Sequence, residues 1–226
     1  MTTVFLPGTL CDERVFDPRV SALEAAGEVC WVLPLRVGTT VSACATWVLE
    51  QAPAHFNLVG FSQGAVVAFE IMRQAPERVQ RLVLIAANPA SSTETQYATW
   101  QRWREYVAQG RFEDVVPDLC QGLYYQHQDA FCDVLLAMAR TLGETVFLQQ
   151  LSMLASRIDS SASLTNIQCP VQLIVGQHDR ITPVRVHEQM LERLPHATLN
   201  KITFSGHYVS LEQPGKVNQI LHMFLG

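Results

Sequence analysis

The chain has 226 residues, 48% of them hydrophobic, enough to bury a sizeable core in one or two domains. Its formal charge of −5 comes from 21 Asp and Glu spread among 16 Lys and Arg, which leaves no electrostatic footprint for nucleic acid or an anionic membrane. No basic-then-apolar leader opens the chain and no apolar run is long enough to span a bilayer, so a cytoplasmic protein is expected. The six cysteines, Cys11, Cys30, Cys44, Cys120, Cys132 and Cys169, show no C-x-x-C spacing and are expected as reduced core thiols. The seven histidines form no close pair suited to zinc, so no metal is expected.

In chain order, residues 3–6 and 29–33 are apolar, β-rich runs that read as strands, with a short helix over 18–26 between them. Residues 41–51 read as a helix with Val41, Ala45, Val48 and Leu49 on one side. The run His55-Phe56-Asn57-Leu58-Val59 reads as a buried strand, and residues 65–72 read as a helix ending before Pro76. Between these two lies Gly60-Phe61-Ser62-Gln63-Gly64. A buried strand follows over 81–86. Then the alternation stops, and 97–108, 112–120, 129–140 and 145–156 all read as helices. Strands return at 171–176 and 198–204. Strands alternating with helices imply a parallel sheet covered on both faces.

A serine on a tight turn between strand and helix has its hydroxyl exposed, and the flanking glycines leave room where a Cβ would collide. A serine hydroxyl is a weak nucleophile at neutral pH, so a base must take its proton and a third group must orient that base. Asp179, in the loop after the strand over 171–176, is placed to be the orienting acid, although it could also cap the helix beginning near Pro183. His207, after the strand over 198–204, is placed to be the base. His178 is a rival base that reads better as loop surface.

These three motifs, Gly60-Phe61-Ser62-Gln63-Gly64, Gly176-Gln177-His178-Asp179 and Gly206-His207 with Glu212-Gln213-Pro214 downstream, make the chain resemble the α/β-hydrolase superfamily. The resemblance spans nearly the whole chain. It implies one α/β domain with a mostly parallel sheet of about six strands, the first two strands of the family being absent. Residues 1–88 and 168–226 would form the core, and 89–167 a helical cap roofing the active site. Trp100, Arg102, Trp103 and Tyr124 are the cap residues singled out for substrate contact. Arg102 and Arg104 could clamp a carboxylate, or simply occupy an exposed helix face. Arg157 and Asp159 are expected to form a structural ion pair.

The resemblance also implies an oxyanion hole. One backbone N–H would come from Gln63, at the start of a helix, and the other from the loop Pro7-Gly8-Thr9-Leu10, where many family members read His-Gly. Thr9 matches the donating position, with Leu10 as the fallback. Cys11 in the same loop reads as an inert buried thiol. The implied activity is cofactor-free hydrolysis of an ester, thioester or related carbonyl bond of a small molecule, through an acyl-enzyme on Ser62, by a monomer or homodimer. Lyase or C–C bond-cleaving chemistry on the same scaffold, and small-molecule binding without turnover, remain as alternatives.

Overall fold

The computed structural model describes residues 1–25, 27–126 and 128–226. Six strands, β1 (Thr2–Leu6), β2 (Val29–Val32), β3 (Phe56–Phe61), β4 (Val79–Ile85), β5 (Val171–Gly176) and β6 (Ala197–Ile202), form one sheet in the order β2-β1-β3-β4-β5-β6. Every pairing is parallel, with Leu6 opposite Gly60 and Phe61 opposite Ile85 around the middle of the sheet.

Strict alternation along the strands splits the core into two layers. Val4, Leu6, Leu58, Leu82, Leu84 and Leu173 face one way, onto α2 (Val41–Gln51) and α3 (Gln63–Gln74). Phe5, Val59, Phe61, Val83, Ile85 and Ile174 face the other way, onto the layer that holds α9 (Pro214–Leu225). Each such side chain contributes about 1.5–3 kcal/mol on full burial, which is why these strands read as continuous apolar runs. The helix expected over 18–26 is α1 (Asp17–Ala25); Ala26 lies outside the described residues.

Between β4 and β5 the described chain is helical, in α4 (Glu94–Ala108), α5 (Val115–Cys120) and α6 (Gln128–Ala155), with one 3-10 turn between α4 and α5 and another after α6. Thr93 and Gln96 cap α4 reciprocally, each side chain accepting the other's backbone N–H. The two helices expected over 129–140 and 145–156 are the two halves of α6, broken at Gly143 with φ 79. After β5 and β6 come α7 (Val184–Leu191) and α8 (Val209–Glu212). No helix among the described residues is long and apolar enough to cross a membrane.

Two of the six cysteines, expected as reduced thiols, are paired. Cys120 and Cys132 are joined as a disulfide, their Cα atoms 6.1 Å apart. Folding of α5 back against α6 brings the two thiols face to face, a tertiary effect that a spacing of 12 residues does not announce. Cys11, Cys30, Cys44 and Cys169 are free.

Candidate active site

The C-terminal ends of the parallel strands gather the loops that carry the singled-out residues, Thr9 after β1, Ser62 after β3, Asp179 after β5 and His207 after β6. This is where open parallel sheets place their ligands. Ser62 links β3 directly to α3 and has φ 51 and ψ −111, a conformation that L-residues adopt only at a cost. The turn is held by Ser62 N–H on the Ile85 carbonyl at 3.0 Å and by Ala65 N–H on the Ser62 carbonyl at 3.0 Å. Glycine is required beside it: a Cβ on Gly64 would lie 2.0 Å from the Leu6 carbonyl oxygen.

His207 Nε2 lies 3.0 Å from Ser62 Oγ, and His207 Nδ1 lies 2.9 Å from Asp179 Oδ2. The sequence-assigned trio therefore meets in one line of hydrogen bonds. Asp179 also does what a turn aspartate does, its Oδ1 accepting the Ile181 and Thr182 N–H groups at 2.8 Å each. Capping and contact with His207 thus use different oxygens of one carboxylate. Thr182 Oγ1 adds a third bond, to Oδ2 at 2.6 Å. Burial pushes the Asp179 pKa up, but the charge and hydrogen bond of His207 and the Thr182 bonds outweigh it and hold the carboxyl below its ordinary range. His178 is exposed and stacks on Tyr125 at 4.2 Å.

The loop after β1 stands opposite the start of α3. Gln63 is the first residue of α3, where helical N–H groups lack intrahelical partners, and Thr9 N–H meets no acceptor among the described residues. Thr9 Oγ1 donates to Gln63 Oε1 at 2.8 Å, tying the two positions together. Leu10, the fallback, is already engaged: its N–H donates to Gln150 Oε1 at 2.9 Å. Gln150 lies on α6, is fully buried, and donates in turn to the Leu35 carbonyl at 3.1 Å. Gln63 Nε2 donates to the Gln150 carbonyl at 3.0 Å. Gln150 is not among the residues that the motifs point to. Its signal is a polar residue on the apolar stripe Phe147, Leu151, Leu154, at spacings of three, one and four. Cys11 is buried, and burial pushes its thiol up to about 12 against the hydrogen bond with Tyr208, which keeps it protonated near neutral pH.

A cavity of about 300 Å³ opens above Ser62 and His207, with Trp100, Trp103, Leu119, Leu154 and Ile181 among its walls. Of the contact residues singled out from sequence, Trp100, Arg102 and Trp103 line it. Tyr124 does not; it packs on Phe131 and Tyr208, 5.0 Å from each ring, inside the core. Arg102 and Arg104 are both already hydrogen-bonded within the protein. Arg102 Nη2 is bonded to Asp118 Oδ2 at 2.7 Å, which also accepts Trp103 Nε1 at 2.5 Å. Arg104 Nη2 donates to Ser152 Oγ at 2.9 Å. Arg157 forms no ion pair with Asp159: Asp159 Oδ1 accepts Ser161 N–H at 2.7 Å, while Arg157 lines the cavity. The short loop lets Asp159 satisfy its own backbone, which is the nearer partner.

Known proteins share this arrangement of fold. The family model for the alpha/beta hydrolase fold matches residues 37–214. A pimeloyl-(acyl-carrier protein) methyl ester esterase of Aromatoleum aromaticum is 28% identical over 193 residues, which cover 78% of this chain and 76% of the relative. The biotin biosynthesis bifunctional protein BioHC of Teredinibacter turnerae is 24% identical over 191 residues, 76% of this chain but only 33% of that protein. A thermophilic esterase from Thermogutta terrifontis has the same fold with a TM-score of 0.86 at 21% identity, over 100% of this chain and 89% of its own. With strands, loops and family match in agreement, the chain belongs to the alpha/beta hydrolase fold family.

Proposed function

We propose that the protein is a serine hydrolase of carboxylic esters that works by two-step acyl transfer on Ser62. The observation that carries this reading is the line of bonds at 3.0 and 2.9 Å from Ser62 Oγ through His207 to Asp179, opening onto a cavity of substrate size. His207 Nε2 takes the hydroxyl proton as Oγ attacks the ester carbonyl, and Asp179 stabilises the imidazolium that forms. Negative charge on the carbonyl oxygen goes to the N–H groups of Gln63 and Thr9, each worth about 10²-fold or more in rate. His207 then protonates the leaving alcohol and activates the water that releases the acid. The chemistry needs no cofactor, and a thioester would follow the same steps.

The ester class is supported by the relatives, two of which carry esterase in their names. In this reading the helices between β4 and β5 are a cap, and the apolar walls from Trp100, Trp103 and Leu154 receive a small-molecule substrate. The test is intact mass after incubation with a fluorophosphonate probe. Wild type is expected to gain one probe mass and Ser62→Ala none, with ester turnover lost in the variant. Turnover retained by Ser62→Ala would sink the proposal.

A further inference from the structure

Two guanidinium groups reach the cavity, and only Arg102 is neutralised there, by Asp118. Arg157 is half-buried at the other end of α4 and has no carboxylate within ion-pair distance among the described residues. Its Nη2 donates to two neutral acceptors, the Ser91 carbonyl at 3.2 Å and Gln96 Oε1 at 3.0 Å. Its Nε is buried with no acceptor at all. Burial lowers its pKa, yet an arginine stays charged. Asp159 acts on this half-buried charge only from beyond ion-pair distance, so an anion entering the cavity would be a closer counter-charge.

The surroundings favour an anion there. Thr95, Gln96 and Thr99 of α4 line the same cavity, and Gln96 is bonded to Arg157. Asn88 joins them; its Oδ1 is used by Ala90 N–H at 3.0 Å, which leaves its amide nitrogen as a donor. We infer that Arg157 is a specificity-determining residue that receives a carboxylate on the non-reacting end of the substrate, so that the preferred substrates are half-esters of dicarboxylic acids. This rests on the esterase reading above. The attacked ester sits at Ser62, the free carboxylate at Arg157, and the apolar walls hold the methylene chain between them.

The experiment compares kcat/KM for monomethyl and dimethyl esters of a series of dicarboxylic acids on wild type, Arg157→Gln and Arg157→Lys. Wild type is expected to favour the half-ester by about ten-fold or more at the best chain length. Arg157→Gln should lose that selectivity, and Arg157→Lys, which keeps the charge, should retain part of it. The ratio of two substrates does not depend on the fraction of enzyme that is folded, so weakened folding cannot imitate this result. A wild-type ratio near one, or an equal ratio in wild type and Arg157→Gln, overturns the inference, while Ser62-dependent hydrolysis of the dimethyl esters leaves the esterase reading standing. If neither ester turns over, the fluorophosphonate adduct on Ser62 still decides the esterase reading, and quenching of tryptophan emission by the free dicarboxylates decides the anion site. A Kd weakened about ten-fold in Arg157→Gln supports it, and an unchanged Kd overturns it.

Discussion

His207 N–H donates to the Leu123 carbonyl at 2.6 Å, so the loop carrying the imidazole is tied to the segment between α5 and α6 rather than to the sheet alone. Glu212 reinforces the tie, its two carboxylate oxygens accepting Gly206 N–H and Tyr125 N–H at 2.7 Å each. Burial raises the Glu212 pKa while those backbone bonds pull it back. Position of the imidazole and position of the helical segment are therefore coupled through backbone.

Replacing Gly206 with Ala tests that coupling. A Cβ there would lie 2.5 Å from the Leu123 carbonyl oxygen, a backbone atom that cannot step aside alone. The variant is expected to lose about 1–3 kcal/mol of stability through overpacking. Turnover should fall further than KM changes, because misplaced Nε2 weakens proton transfer in the transition state. Denaturant unfolding and steady-state kinetics read the two effects. An unaltered kcat would mean that the Leu123 tie does not position the imidazole.

Gln150 holds the loop that faces Gln63. Gln150→Leu keeps the volume but strands the Leu10 N–H and the Leu35 carbonyl, at about 1–3 kcal/mol for each buried group left unpaired. The Thr9 N–H next door is proposed to act on charge that exists only in the transition state. A loosened loop should thus lower kcat by roughly ten-fold with little change in KM. A KM effect alone would assign Gln150 to substrate binding instead.

His187 is expected to contribute to the acid limb of stability. It is fully buried, its Nε2 accepts Ala87 N–H at 3.0 Å, and Nδ1 faces the Pro183 carbonyl at 3.4 Å, an arrangement for the neutral ring. Burial is the main reason its pKa is lowered from 6.5 to about 4. Between those values the unfolded chain binds a proton that the folded chain refuses, so stability rises with pH through this window and is lost as pH falls through it. The shift corresponds to roughly 3 kcal/mol. Urea unfolding from pH 7 to pH 4 should show the loss in wild type, and His187→Gln, which keeps an acceptor but does not titrate, should remove most of that slope. Parallel slopes would assign the acid sensitivity to other groups.

Much of this protein was legible in the residues themselves, because strand and helix periodicity and turn chemistry are local. The apolar runs of β3, β4 and β5 declare strands buried on both faces, and Gly64 is dictated by the approach of the Leu6 backbone. Ser62, Asp179 and His207 were legible because each sits on a loop directly after a strand. What those loops share in space, and what faces the cavity, depends on contacts between residues far apart in sequence. Folding alone decided that Arg102 is quenched by Asp118 while Arg157 is not, that Tyr124 turns into the core, and that Cys120 meets Cys132. It also brought Gln150 against Leu10, 140 residues away. A charged or polar side chain carries no local mark of its partner, since hydrogen bonding and ion pairing are settled only when packing excludes water.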